Sequence, residues 1–221
     1  MALALDHLVV AAPTLEAGVA WCEAALGITP GPGGRHASMG THNRLLAIAS
    51  PAFPRAYLEI IAIDPHAPAP GRARWFDLDD AALVAAGPAL VHWVARCDNV
   101  DADVAALARL GIARGRVVEA SRETPAGRLA WRIAVRDDGA RLFGGALPTL
   151  IEWGHTHPAD TMPASGATLA ALTLRSPEPA ALNQAMQALD GGGLARIEAG
   201  APALEAALNT PRGTVLLRSA T

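Results

Sequence analysis

Two histidines and two glutamates stand inside apolar runs, where a polar side chain is costly. His7 lies in Leu5-Asp6-His7-Leu8-Val9-Val10, Glu59 in Tyr57-Leu58-Glu59-Ile60-Ile61, His92 in Val91-His92-Trp93-Val94 and Glu152 in Leu150-Ile151-Glu152-Trp153. A carboxylate buried in such a run must be paired or bound to a metal. Taken singly, each His reads as a satisfied core residue and each Glu as the partner of an Arg. Taken together, with one early His and one late Glu in each half of the chain, they predict a shared site. Two imidazoles and two carboxylates suit a divalent ion such as Zn, Ni, Co, Mn or Fe, and four protein ligands on an octahedral ion leave positions open for water or substrate. Such an ion would polarise a substrate oxygen bound at an open position. A Glu leaving the ion would act as general base, Glu152 ahead of Glu59.

Other polar residues are candidates for holding a substrate. Arg35, His36, His42 and Asn43 crowd one Gly-rich segment. They read either as a pocket wall for an anionic or carbonyl-bearing molecule, which the forked guanidinium suits, or as a solvated loop. Trp131 is a candidate for stacking on a substrate, whereas Arg122 and Arg128 read as sheet-surface residues. Trp75 and Phe76 are either pocket lining or an apolar plug. His155 and His157 read as a loop pair.

These residues need elements to position them, and the chain supplies the same set twice. Residues 5–10 form an apolar strand, and Thr14 caps a helix over Leu15–Leu26 that Gly27 ends. A Gly-, Pro- and His-rich stretch over 28–44 holds a short strand, and strands Leu45–Ala49 and Ala56–Ile63 follow. The order then recurs as strand Leu90–Ala95, helix Val100–Leu110 and strands Val117–Ser121, Leu129–Val135 and Thr149–Trp153. Repetition of a β-α-β-β-β unit is a topological signal. It predicts an α+β protein in which tandem modules form a curved mixed sheet around a pocket. The first module covers residues 1–63, a connector 64–89 and the second module 90–158. A degenerate module covers 159–221, with strands Thr168–Leu174, Ala195–Glu198 and Val215–Arg218 and a helix over Pro179–Leu189.

Composition narrows the chemistry. The chain has 221 residues, 51% hydrophobic and 18% charged, a globular balance. All 18 basic residues are Arg; without Lys there is no Schiff base, pyridoxal phosphate anchor or Walker-A lysine. The Arg are scattered rather than striped, so no nucleic-acid partner is expected. No run is long enough to span a membrane, and the first residues lack the basic and apolar regions of a signal peptide. A cytoplasmic protein binding a small molecule is therefore expected, and a homodimer is left open. Cys22 and Cys97 read as reduced, small apolar residues.

The chain resembles the vicinal oxygen chelate superfamily (the glyoxalase/bleomycin resistance/dioxygenase fold), which includes glyoxalase I, extradiol dioxygenases, methylmalonyl-CoA epimerase and fosfomycin-resistance proteins. Within it, Leu5 to Val10, Gly34-Arg35-His36, Gly40-Thr41-His42-Asn43, Trp75-Phe76, Leu150 to Gly154 and His157-Pro158 are similar to the glyoxalase-like domain family, over about residues 3–158. The resemblance implies paired βαβββ modules around a metal held by a His on each first strand and a Glu on each last, here His7, Glu59, His92 and Glu152. It implies a metal-assisted lyase or isomerase acting on a small oxygen-rich molecule. A non-catalytic binding or resistance protein and a ring-cleaving dioxygenase are the alternatives, and the carboxylate at Glu59 argues against the last.

Overall fold

The computed structural model describes residues 3–124 and 127–219. Its first half runs β1 (Ala4–Ala11), α1 (Leu15–Leu26), β2 (Gly31–His36), β3 (Thr41–Ala47) and β4 (Tyr57–Ile63). Thr14 accepts from the Ala17 N–H to start α1, and Gly27, at φ 74°, closes it with its N–H on the Glu23 carbonyl. The Gly-rich stretch is more ordered than its composition suggests, for β2 and most of β3 lie within it. Pairing of β2 with β3 and of β3 with β4 gives the glycines a ladder to join.

The connector holds α2 (Ala81–Ala85). The second half then repeats the order with β5 (Ala89–Arg96), α3 (Val100–Arg109), β6 (Arg116–Thr124), β7 (Gly127–Val135) and β8 (Thr149–Trp153). Both halves join one curved eight-stranded sheet, ordered β2-β3-β4-β1-β5-β8-β7-β6, with β1 antiparallel to β5 at the seam. In each half the first strand runs parallel to the last.

Alternation along the strands gives the sheet two apolar faces. On one, Leu8, Val10, Leu58, Ile60, Trp93 and Leu150 form a core with Cys22 and Leu26 of α1 and Leu107 of α3. On the other, Val9, Ile61, Val94, Trp131, Ile133 and Ile151 line a concavity into which the connector inserts Trp75, Phe76 and Leu78.

The C-terminal segment runs β9 (Thr168–Ser176), α4 (Pro179–Ala188), β10 (Arg196–Ala199), β11 (Ala203–Thr210) and β12 (Gly213–Arg218). The order of elements is again βαβββ, but the pairing differs. Its sheet is ordered β10-β9-β11-β12, so the first strand runs parallel to the second and not to the last. β11 has no counterpart in the sequence reading, because Ala203 to Leu208 is rich in helix formers. Its neighbours β9 and β12 override that preference. Leu172, Leu174, Leu182, Leu204, Ala206 and Leu208 join the helix-side core. No helix among the described residues is long and apolar enough to cross a membrane.

Candidate active site

A β-bulge shapes the centre of the concave face. Leu5 pairs with Ala95 and His7 with Val94, so Asp6 is the extra residue. A bulge re-aims side chains, and here it lets the adjacent Asp6 and His7 meet, Asp6 Oδ1 lying 2.7 Å from His7 Nδ1. Asp6 is fully buried. Its Oδ2 accepts from His157 Nε2 at 2.8 Å and from Trp153 Nε1 at 2.9 Å. The Ala159 N–H donates to His157 Nδ1, which leaves the ring proton on Nε2, facing Asp6. Burial by itself would raise the Asp6 pKa. The bonds from His157 and His7, with the charges those rings can carry, outweigh it and hold the carboxyl well below the usual range. The anion fixes the ring of His7 with Nδ1–H inward and Nε2 outward.

His7 Nε2 faces Glu59 Oε2 at 3.6 Å. Glu59 comes from β4, whose neighbour β3 supplies Asn43. The Gly34 N–H donates to Asn43 Oδ1 at 2.7 Å, which turns the amide so that Nδ2 donates to Glu59 Oε1 at 2.5 Å. His36, on β2, meets Thr41 Oγ1 through Nδ1 at 3.0 Å, with its Nε2 4.0 Å from Glu59 Oε1. Burial pushes the His36 pKa down to about 4, against the pull of Glu59, so this ring is neutral at pH 7. Tyr57 stacks on His7 with centroids 4.6 Å apart. Burial, then the charges of Asp6 and Glu59, pushes its phenol well above the ordinary value.

These groups line a solvent-open cleft of about 460 Å³. Trp75, Phe76, Trp131 and Trp153 form apolar walls, and Arg122 reaches in from β6. Arg122 is half-buried and has no hydrogen bond or ion pair to any described residue. The cleft thus combines an Asp-oriented imidazole, a carboxylate, an amide and a guanidinium that has no ion partner among the described residues.

The four residues at repeat-equivalent positions do not converge. His7 and Glu59 meet in the cleft, but His92 and Glu152 are used elsewhere. His92 Nδ1 lies 3.1 Å from the Gly145 carbonyl, and Nε2 accepts from the Thr149 N–H at 3.1 Å. Both ring nitrogens are therefore occupied. Burial, followed by the nearby Arg114 and Arg141, keeps the ring neutral. Glu152 fails by parity. β8 pairs Ile151 with Ile133 and Glu152 with Arg132, so Ile151 and Trp153 face the cleft and Glu152 the helices. There it takes the Val100 N–H at the start of α3 and Arg132 Nη1 at 3.1 Å. The four-ligand centre therefore does not fit this arrangement. Among the described residues no group of three or more His, Cys, Asp or Glu side chains is disposed to hold a metal.

The Gly-rich cluster divides in the same way. His36 and Asn43 line the cleft. Arg35 instead points outward, its side chain 67% exposed and 3.4 Å from Asp64. His42 precedes Asn43 on β3 and so takes the opposite face; its Nε2 is buried without a described partner. Trp131 lines the cleft, and Trp75 and Phe76 are both lining and plug. From sequence alone Arg122 reads as a sheet-surface residue and His157 as one of a loop pair, and Asp6, Tyr57 and Trp153 carry no expected role; all five belong to the site. Only the buried-polar position of Asp6 beside His7 gives a signal. Burial raises both thiol pKa values, that of Cys22 to about 11, and neither thiol enters the cleft.

A curved sheet built from tandem βαβββ modules with a cleft in its concave face is the fold of the vicinal oxygen chelate proteins. Among them, the chain belongs to the glyoxalase-like domain family, whose sequence model matches residues 5–189. Similar solved structures include a hypothetical protein from Staphylococcus aureus, with 15% identity and a TM-score of 0.59 over 98% of this chain and 85% of that one. The methylmalonyl-CoA epimerase of Streptomyces coelicolor in complex with 2-nitronate-propionyl-CoA is 18% identical, with a TM-score of 0.47 over 71% of this chain and 99% of that one. The epimerase from Mycobacterium tuberculosis is 19% identical, with a TM-score of 0.40 over 68% and 86%. No curated protein matches the chain by sequence.

Proposed function

We propose that the protein is a lyase or isomerase that moves a proton at carbon beside a carbonyl group of a small anionic molecule. One observation carries this reading. His7 stands between a buried Asp6 anion and Glu59, with its Nε2 open to a cleft that also holds an unpaired Arg122. Arg122 pairs with the anionic group of the substrate and fixes the carbonyl beside the pair. The Glu59 carboxylate, set by Asn43, takes the carbon-bound proton. His7, doubly protonated with Nδ1–H on Asp6, gives the Nε2 proton to the oxygen on which charge develops and takes it back when the carbonyl re-forms. The apolar aromatic walls lower the polarity around the pair, which strengthens these interactions. Return of the proton to the same or a neighbouring carbon gives isomerisation, and departure of a β-substituent gives elimination.

Deuterium exchange tests this whatever the product. The protein is incubated in D2O with a panel of small 2-oxo and 2-hydroxy acids, in metal-chelated and metal-supplemented buffer, and proton NMR follows loss of the signal beside the carbonyl. At least one acid should exchange. Glu59→Gln should slow it about 10²–10⁴-fold, the usual contribution of a positioned acid or base, while Glu152→Gln leaves it unchanged. Saturable binding with no exchange would favour the sequestering protein instead. Equal exchange by wild type and Glu59→Gln would overturn the assignment.

A further inference from the structure

The second module holds a different, small pocket that opens to solvent, lined by Arg114, Arg136, Arg141, His92 and Thr149, with Trp75 and Phe76 on the side toward the first cleft. Its cations are unequally matched. Arg141 Nε pairs with Asp77 at 2.9 Å and Arg136 Nε with Asp138 at 2.9 Å. Arg114 has no carboxylate among the described residues, although it is only 3% exposed. Its Nε donates to the Pro148 carbonyl at 2.8 Å and its Nη2 to Thr149 Oγ1, while its Nη1 has no described partner. Burial, then Arg136, lowers its pKa to about 10, so it remains a cation at neutral pH. A buried charge without a counterion is costly, and the surroundings hold this one in place. Thr149 receives Arg114 and lies 3.0 Å from His92 Nε2, which in turn is fixed through Nδ1 by Gly145.

We propose that this cavity binds one small oxyanion, a carboxylate or a phosphate- or sulfate-like group, against Arg114 with Arg141 beside it. Three guanidinium groups face two carboxylates, so one negative charge balances the cavity. The Arg114 fork offers the paired donors an oxyanion takes. The site is separate from the His7–Glu59 cleft and does not rest on the reaction assigned there. The anion is either free in solution or the charged end of a longer ligand.

Thermal unfolding of the full chain distinguishes these. Phosphate, sulfate and acetate are each titrated against sodium chloride at matched ionic strength. A saturable rise in Tm is expected for at least one of them. At ligand about 100-fold above Kd it should reach roughly 5–10 °C for a chain of this size. Arg114→Met should abolish the rise and, without oxyanion, melt no lower than wild type, because a buried unpaired charge has gone. A rise only with longer dicarboxylates or phosphorylated acids, lost in the same variant, would assign the charged end of a larger ligand. Should Arg114→Met fail to fold, crystals of wild type grown with selenate give the second measurement, an anomalous peak within hydrogen-bond distance of Arg114 being expected. No saturable rise with any of these anions, or an equal rise in wild type and variant, would overturn the proposal. So would selenate located elsewhere. A peak without a saturable effect in solution would mean an adventitious ion only.

Discussion

Asp6 is the residue on which the cleft turns. It accepts from His7, His157 and Trp153 while wholly buried. Asp6→Asn removes the charge those donors were set to meet and turns one acceptor into a donor. Urea unfolding should then show a loss of about 3–5 kcal/mol, the range for breaking a buried charged network. The histidines make a separate prediction. His36, with its pKa lowered to about 4, and His92, lowered well below its ordinary value by burial, are neutral in the fold, but take up protons once unfolded below about pH 6.5. The unfolded state thus binds more protons, so stability present above pH 6.5 is lost as pH falls. The slope should approach about 1.4 kcal/mol per pH unit for each group. Asp6 adds a further loss below its unfolded value near 4, since its folded pKa is depressed. Urea midpoints at pH 7, 6 and 5 should show the decline, and His36→Asn should remove one group's share of it. A profile flat from pH 7 to 5 would contradict the neutral rings.

At the scale of the element, two adjacent glycines of β2 make contrasting predictions. A methyl group on Gly33 would strike the Asn43 backbone carbonyl and side chain, whereas one on Gly34 would strike the tip of Arg122. Backbone yields poorly and a long side chain easily. Gly33→Ala should therefore cost stability, about 1–3 kcal/mol as overpacking does. Gly34→Ala should fold nearly as well as wild type but bind anionic ligands of the cleft at least tenfold more weakly, as calorimetry would show. On β8, Glu152→Ala should cost about 1 kcal/mol through the lost contact at the start of α3 and leave deuterium exchange intact. That residue also shows where the sequence stops being legible. The βαβββ repeat is written plainly in apolar runs, caps and glycines, and the buried-polar positions of His7 and Glu59 mark the two residues that meet in the cleft. Which face a side chain takes depends on counting residues by twos, and one step reverses the answer. Glu152 sits one step off, and the bulge at Asp6 shifts the count in β1. Arg122 is equally hidden, because its role depends on Gly34 lying across the cleft from a strand far away in sequence.

The whole molecule rests on one helix-side core that the C-terminal segment completes. Leu169 donates its N–H to the Ile48 carbonyl, and Ser165 reaches the Ala47 carbonyl. The leucines of β9, β11 and α4 share a core with Leu46, Ile48 and Trp93. A chain ending at residue 163 should expose that surface, and size-exclusion chromatography should find it aggregated where the full chain is not. The two cavities of the concave face have a wall in common. Trp75 and Phe76 stack with centroids 5.5 Å apart, and both side chains line both cavities. Phe76 and Asp77 hold positive φ, and the Trp75 indole N–H is buried without a described partner. A partition of two rings cannot move for one tenant and stay still for the other. Whatever factor an occupant on the arginine side applies to affinity on the histidine side, the reverse factor must be equal.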